Sequence, residues 1–135
     1  MTDCIFCKII KGELPANKVY ETDKILAFLD IGPVNKGHTL VIPKEHYETL
    51  LDMPEDVLAE VAQVTKKVAR AVIETVGTDG FGVTQSNKPT GGQLVPHFHN
   101  HIIPRFKDDG LEFWPQGKYQ EGEAAELAEK ITQNL

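Results

Sequence analysis

One run of residues constrains the chain more than any other: His97-Phe98-His99-Asn100-His101-Ile102-Ile103-Pro104. Polar and apolar side chains alternate along it. A period of two marks a strand with one buried face, because successive side chains leave a strand on opposite sides. The run therefore predicts a strand over His97–Ile103, closed by Pro104. His97, His99 and His101 share one face. Phe98 and Ile102 point the other way, toward a core, with Asn100 between them. A merely solvated face is served as well by serine, threonine or lysine. Three of the chain's five histidines on that face point instead to a metal cage, a catalytic face, or both, since imidazole combines a near-neutral pKa with a nucleophilic, ligating nitrogen.

The rest of the sequence supplies a frame for this strand. Cys4–Ile10 reads as a short apolar helix and Ile25–Leu29 as a buried strand. Ile31–Gly37 has turn chemistry, and His38–Ile42 is a second strand stopped by Pro43. The clearest helix follows. Asp52 is expected to cap it, with Pro54 in the first turn and Glu55 completing a capping box with Asp52. Leu58, Val61, Ala62, Val68, Ala69, Val72, Ile73 and Val76 recur at helical spacing, and Gly77 ends it. Phe81–Thr84 is a short strand, Ser86–Gly92 a polar glycine-rich loop, and Glu123–Asn134 a terminal helix. Neither repeat nor linker interrupts the chain. With 135 residues, one domain over residues 1–135 is expected, of α+β class, an antiparallel sheet carrying the main helix on one face.

The net charge of −6 makes a general nucleic-acid binder a poor fit, and no apolar run has the ~18 residues of a membrane span. Met1–Lys8 lacks a basic region ahead of an apolar stretch, so no secretory leader is expected and a cytoplasmic protein is. In that compartment Cys4 and Cys7 are not expected to form a structural disulfide. The pair reads as metal-binding, as redox-active, or as inert. A thioredoxin-like pair would follow a strand and open a long helix, and this one begins at residue 4 with no strand before it.

The segment His97–Ile103 resembles the signature of the histidine triad (HIT) family: three alternating histidines followed by two apolar residues. The resemblance extends to Cys4–Ile10 (C-I-F-C-K-I-I), Leu26–Ile31 (L-A-F-L-D-I), Gly37–His46 (G-H-T-L-V-I-P-K-E-H) and Gly91–Arg105, in order and spacing, and is closest to the bacterial Hint-like branch. It implies a HIT-like fold with an antiparallel sheet of about five strands, one main helix and a C-terminal helix, in a homodimer. It also implies a nucleotide hydrolase or nucleotidyl transferase acting at the α-phosphate of purine nucleoside phosphoramidates or dinucleoside polyphosphates.

Carried over by position, His99 is the nucleophile and forms a nucleotidyl-histidine, its other nitrogen held as N–H by a backbone carbonyl. His101 stabilises the transition state, and His38 supports the site. Asp30 matches the ribose-binding position. Ile5, Phe6, Ile9, Phe28, Ile31 and Leu40 match the base pocket, and Val95 is placed among the nucleotide contacts. Ser86, Asn87 and Gln93 in the polar loop are candidate phosphate donors. Two positions depart from the pattern. Ser86, eleven residues before His97, stands where an asparagine is common, and Leu94 replaces a serine or threonine and cannot donate. Zinc-binding relatives pair the two cysteines with the histidine after I-P-K and the first triad histidine, which here implies structural zinc on Cys4, Cys7, His46 and His97. The alternatives are a nucleotide-binding or interaction module with weak turnover, and a metal-binding protein that uses all three triad histidines.

Overall fold

A computed structural model describes residues 3–135; Met1 and Thr2, the first residues of the stretch read above for a leader, lie outside the described residues. Its centre is a five-stranded antiparallel sheet in the order β1-β2-β3-β5-β4. The strands are β1 Lys18–Glu21, β2 Ile25–Leu29, β3 Thr39–Pro43, β4 Gly80–Thr84 and β5 Asn100–Arg105. Helix α1 (Ile5–Ile10) precedes the sheet, α2 (Glu55–Val76) joins β3 to β4, and α3 (Glu123–Gln133) ends the chain.

β2 and β3 are unbroken apolar runs because the sheet is covered on both sides. Ile25, Ala27, Val41, Phe98 and Ile102 pack under Val57, Val61, Val64, Val68 and Val72 of α2. Leu26, Phe28, Leu40 and Ile42 turn to the opposite face and meet Phe6, Cys4 and Cys7. A one-residue slip of either strand would exchange the two sets, so the register is fixed by two cores at once. In that register Phe28, Leu40 and His101 stand in line across β2, β3 and β5.

Helix α2 forms from a stripe of β-branched and small residues at helical spacing, with Glu55 and Asp56 favourably placed in its first turn. It ends at Gly77, whose φ of 77° is the left-handed conformation glycine adopts without strain. The expected capping box does not form. Pro54 is the N-cap, and the Asp52 carboxylate instead accepts from the backbone N–H and hydroxyl of Thr49, closing a short 3-10 turn over Leu50–Asp52. Asp52 lies two residues upstream of the N-cap, and Thr49 supplies nearer donors.

Several strand boundaries differ from the sequence reading: β3 runs Thr39–Pro43 and keeps Pro43 paired with Ile25 inside it, and β4 starts one residue early at Gly80. The motif strand begins at Asn100, not His97, and Pro104 pairs with Phe81 inside it. His97 sits in a bend, its N–H on the carbonyl of Val95, while Phe98 N–H reaches the carbonyl of Tyr47. Strand β1 was not foreseen; its sequence, Lys-Val-Tyr-Glu, belongs to a mostly exposed edge with little apolar signal.

Beyond Asp109 every residue is exposed, although the Leu111 carbonyl and the Phe113 ring still meet Arg105. Phe113 and Trp114 are 85% and 88% exposed, and α3 buries no residue. Among the described residues no helix is long and apolar enough to cross a membrane.

Candidate active site

The loop before β5 and its first residues bring the histidines to the α1 side of the sheet. The ring of His99 lies 4.8 Å from that of His101 and meets the edge of Phe6 at 5.1 Å, centroid to centroid. Phe98 and Ile102 pack into the α2 core, so the sidedness expected from alternation holds although only part of the run is a strand.

The backbone assigns the protons. His99 Nδ1 lies 2.7 Å from the carbonyl oxygen of His97. A carbonyl only accepts, so Nδ1–H donates and Nε2 keeps a bare lone pair. His97 Nε2 donates to the carbonyl of Pro43 at 2.8 Å, leaving its Nδ1 bare. At His38 the logic reverses: the Val34 N–H donates to Nδ1 at 3.1 Å. The proton of His38 is therefore on Nε2, which reaches Nδ1 of His101 at 2.8 Å. His101 then carries its own proton on Nε2. Burial favours these neutral forms. It lowers the pKa of His99 and of His38, the latter against the opposing pull of the Asp30 carboxylate. Burial, with His99 and His38 nearby, pushes His101 down to about 4.

A second group lies on the far side of His97. Cys4 Sγ is 3.3 Å and Cys7 Sγ 3.6 Å from His97 Nδ1, and Cys7 Sγ is 3.3 Å from His46 Nδ1. These four ligand atoms lie within 4.8 Å of one another. A tetrahedral zinc with Cys2His2 ligands needs separations of roughly 3.3–3.8 Å, so the donor set could hold a metal ion with small adjustment. The bare His97 Nδ1 faces the sulfurs while the opposite nitrogen is tied to a carbonyl, the arrangement that orients a ligating imidazole. Burial and the neighbouring Cys4 raise the pKa of Cys7, so its thiolate form calls for a nearby cation.

The predicted nucleotide residues fall into three sets. Phe6, Phe28 and Leu40 are buried together, with Ile9 and Val95 against them; the rings of Phe6 and Phe28 meet edge to face at 5.6 Å. Asp30 is beside them, Oδ1 accepting the Gly32 N–H at 2.8 Å and Oδ2 lying 3.6 Å from His38 Nε2. Ile5 is about half exposed, whereas Ile31 is 95% exposed and is not part of the apolar set. The polar loop is clamped to the segment Glu48–Leu50. Asn87 Oδ1 accepts the Leu50 N–H at 2.7 Å. Gln93 Nε2 donates to the Glu48 carbonyl at 2.7 Å, and its Oε1 accepts the Lys88 N–H at 2.8 Å. Asn87 and Gln93 thus spend their side chains on fastening the loop to Glu48–Leu50, while the Ser86 hydroxyl faces Gly92. Leu94 is 93% exposed, on the rim of a cleft of about 830 Å³ shared with Ile5, His46 and Tyr47.

The resemblance implied a backbone carbonyl behind His99 without saying which residue supplies it, and sequence reading missed the other two groups that set the tautomers, the Pro43 carbonyl and the Val34 amide. Any residue supplies such groups, so side-chain identity carries no signal for them.

The profile of the HIT domain matches residues 11–108. The adenosine 5′-monophosphoramidase of Schizosaccharomyces pombe is 40% identical over 134 residues, covering 98% of each chain. The crystal structure of a HIT family member from Bacillus subtilis superimposes with a TM-score of 0.91 at 38% identity, over 98% of this chain and 97% of that one. A zinc-bound histidine triad family protein from Mycobacterium smegmatis superimposes at 0.78, with 36% identity and 98% coverage of both. With its five-stranded sheet, its histidines and this match, the chain belongs to the HIT family.

Proposed function

We propose that the chain is a nucleotide hydrolase or nucleotidyl transferase that cleaves nucleoside phosphoramidates or dinucleoside polyphosphates at the α-phosphate through a nucleotidyl-His99 intermediate. The observation that carries this reading is the His99 ring: Nδ1–H is held by the His97 carbonyl, so the bare Nε2 is the nucleophile. Attack forms the N–P bond and breaks the bond to the leaving group. Water then displaces His99 and releases the nucleoside monophosphate, and over the cycle it supplies the proton the leaving group gains. His101 turns Nε2–H toward the developing negative charge, and His38 holds its Nδ1 from behind. The activity of the S. pombe relative supports the substrate class.

Asp30 accepts the ribose hydroxyls in this reading, and Phe6, Phe28 and Leu40, with Ile9, Val95 and Ile5, hold a purine. Ile31 stands at the rim. Ser86 supplies the loop's side-chain donor, while Asn87 and Gln93 keep the loop in place. Zinc on Cys4, Cys7, His46 and His97 is structural: when bound it pins α1 to the segment before β5. A cytoplasmic setting follows from the need to keep both thiols reduced. The chain acts as a single domain in a homodimer. Support for the dimer comes from the exposed Phe113 and Trp114 and from an apolar cleft of about 530 Å³ between α2 and β4, lined by Ala69, Ile73, Phe81 and Val83.

The test is AMP release from adenosine 5′-phosphoramidate and from diadenosine tetraphosphate, beside His99→Ala. Wild type is expected to release AMP, and the variant to lose about 10³-fold or more in rate while still binding AMP. Undiminished release by His99→Ala would remove the mechanism. The exposed, donor-free Leu94 favours a second reading, a nucleotide-binding module with weak turnover; tight AMP binding without release from either substrate would select it.

A further inference from the structure

A hydrogen-bond network behind His38 connects the active site to the root of the C-terminal arm. The Asp109 side chain is only 7% exposed. Its carboxylate accepts from Arg105 Nε at 2.7 Å, from an Arg105 terminal nitrogen at 2.9 Å, and from the backbone N–H groups of Phe106 and Leu111, each at 3.1 Å. A fifth bond comes from Asn35 Nδ2 at 3.1 Å. The Arg105 pair, with these amides, holds the Asp109 pKa well below the usual carboxylate range, so the group acts purely as an acceptor.

Asn35 is fixed by this arrangement from both ends. Its amide nitrogen also donates to the Pro104 carbonyl at 2.9 Å, so two acceptors determine which way the amide faces. Its own backbone carbonyl accepts the His38 N–H at 3.1 Å. The turn so anchored contains Val34, whose N–H sits on His38 Nδ1, and Gly37. At Gly37 φ is +96°, and an added Cβ would lie 3.0 Å from Val76 and 3.2 Å from Pro104. The turn is therefore held by side-chain bonds on one flank and by close packing on the other.

We propose that Asn35 and Asp109 are positioning residues for the reaction: they hold the Val34 amide on His38 Nδ1 and thereby set the direction of the His38–His101 hydrogen bond. The consequence is a matter of polarity. With Val34 in place, His38 Nε2–H donates to His101 Nδ1, and His101 offers an N–H to the substrate. If Val34 moves away, His38 can carry its proton on Nδ1, His101 Nδ1–H donates to His38 Nε2, and a bare Nε2 lone pair faces the anionic phosphate. Loss of one neutral hydrogen bond moves the ratio of the two tautomers by about three- to tenfold. The catalytic consequence rests on the proposed role of His101; the tautomer assignment does not.

The experiment is ¹⁵N NMR of the histidine rings in the full-length, zinc-loaded protein, with no substrate present. In wild type, His38 and His101 should each show a bare Nδ1 and a protonated Nε2. A protonated Nδ1 at either ring in wild type would overturn the proposal without recourse to a variant. Asn35→Ala and Asp109→Asn should each give mixed tautomers at both rings while His99 stays Nδ1–H, and kcat should fall at least twofold with KM little changed. Wild-type ring patterns retained in both folded variants, or a kcat loss that follows the melting temperature with no tautomer change, would overturn it. Should wild type turn over neither nucleotide, the proposed activity fails and the ring spectra still decide the positioning role.

Discussion

Two clusters, each built around a pair of histidines, lie on either side of His99, and their chemistry diverges. Cys4, Cys7, His46 and His97 form a closed group, and Asp30, His38 and His101 an open one; in each, the ligand atoms lie within 4.8 Å of one another. Burial does not sort them, since His97 is 0% and His38 3% exposed. The backbone does. A carbonyl accepts the Nε2–H of His97 and leaves the Nδ1 lone pair facing two sulfurs, a metal-ligating arrangement. The Val34 amide donates a hydrogen bond to His38 Nδ1, so the His38 proton sits on Nε2 and points to His101. The same side chain becomes a ligand or a donor according to which backbone group stands behind it.

Breaking each cluster separately gives the largest effects. His101→Ala should lower kcat by about 10²–10³-fold, the usual loss when one donor to developing charge is removed, with the metal content of the purified protein unchanged. His97→Ala should do the converse. Metal per chain, counted by elemental mass spectrometry, should fall to none, with a loss of about 3 kcal/mol in stability from the emptied buried site. Its backbone carbonyl persists as the acceptor for His99, so kcat per folded molecule should fall less than in His101→Ala. Equal kcat losses in the two variants would erase the distinction between the clusters.

Acidification sharpens the contrast at a smaller scale. Burial holds His38 and His101 neutral, with folded pKa values below the 6.5 of a free imidazole and His101 at about 4. The unfolded chain therefore binds more protons than the folded one across that interval. Stability should be complete above pH 6.5 and fall as the pH drops toward 4. In chelator-treated protein, where metal release does not contribute, His101→Gln should flatten part of that fall; an unchanged slope would place its origin elsewhere. The smallest effect belongs to Leu94→Ser. At 93% exposure the change should move stability by no more than about 0.5 kcal/mol, so any change in the ratio of phosphoramidate to dinucleotide turnover is a direct reading of specificity.

The two clusters were legible in the sequence to different degrees. Cys-x-x-Cys, I-P-K-E-H and H-F-H-N-H pointed to the closed group because its members are all side chains of distinctive type. The open group was named but not its wiring, which runs through Val34 and Asn35 in a turn and through Asp109 beyond β5. The Arg105–Asp109 pair has an ordinary i,i+4 charge spacing that nothing in the chain marks as functional. In the fold, the two buried strands and α2 announced themselves by apolar pattern. Strand β1 did not, because an exposed edge is held by backbone pairing with β2. Pro104 misled as a strand end: pairing with β3 stops at Ile102, so on that side of β5 a residue without an N–H is tolerated. Asp52 misled as a cap because the spacing that suggests a capping box is also met one turn earlier, by Thr49 and Asp52 themselves.

His97 belongs to both halves of this contrast, by its ring to one and by its carbonyl to the other. In the language of heredity the two contributions are written differently. Codon changes can delete the ring, the thiols and with them any use of metal, yet every replacement amino acid brings the same carbonyl. A lineage could therefore abandon any metal there in a few substitutions and keep the proposed nucleophile, His99, in the same tautomer, whereas no single substitution at position 97 discards the carbonyl that His99 donates to.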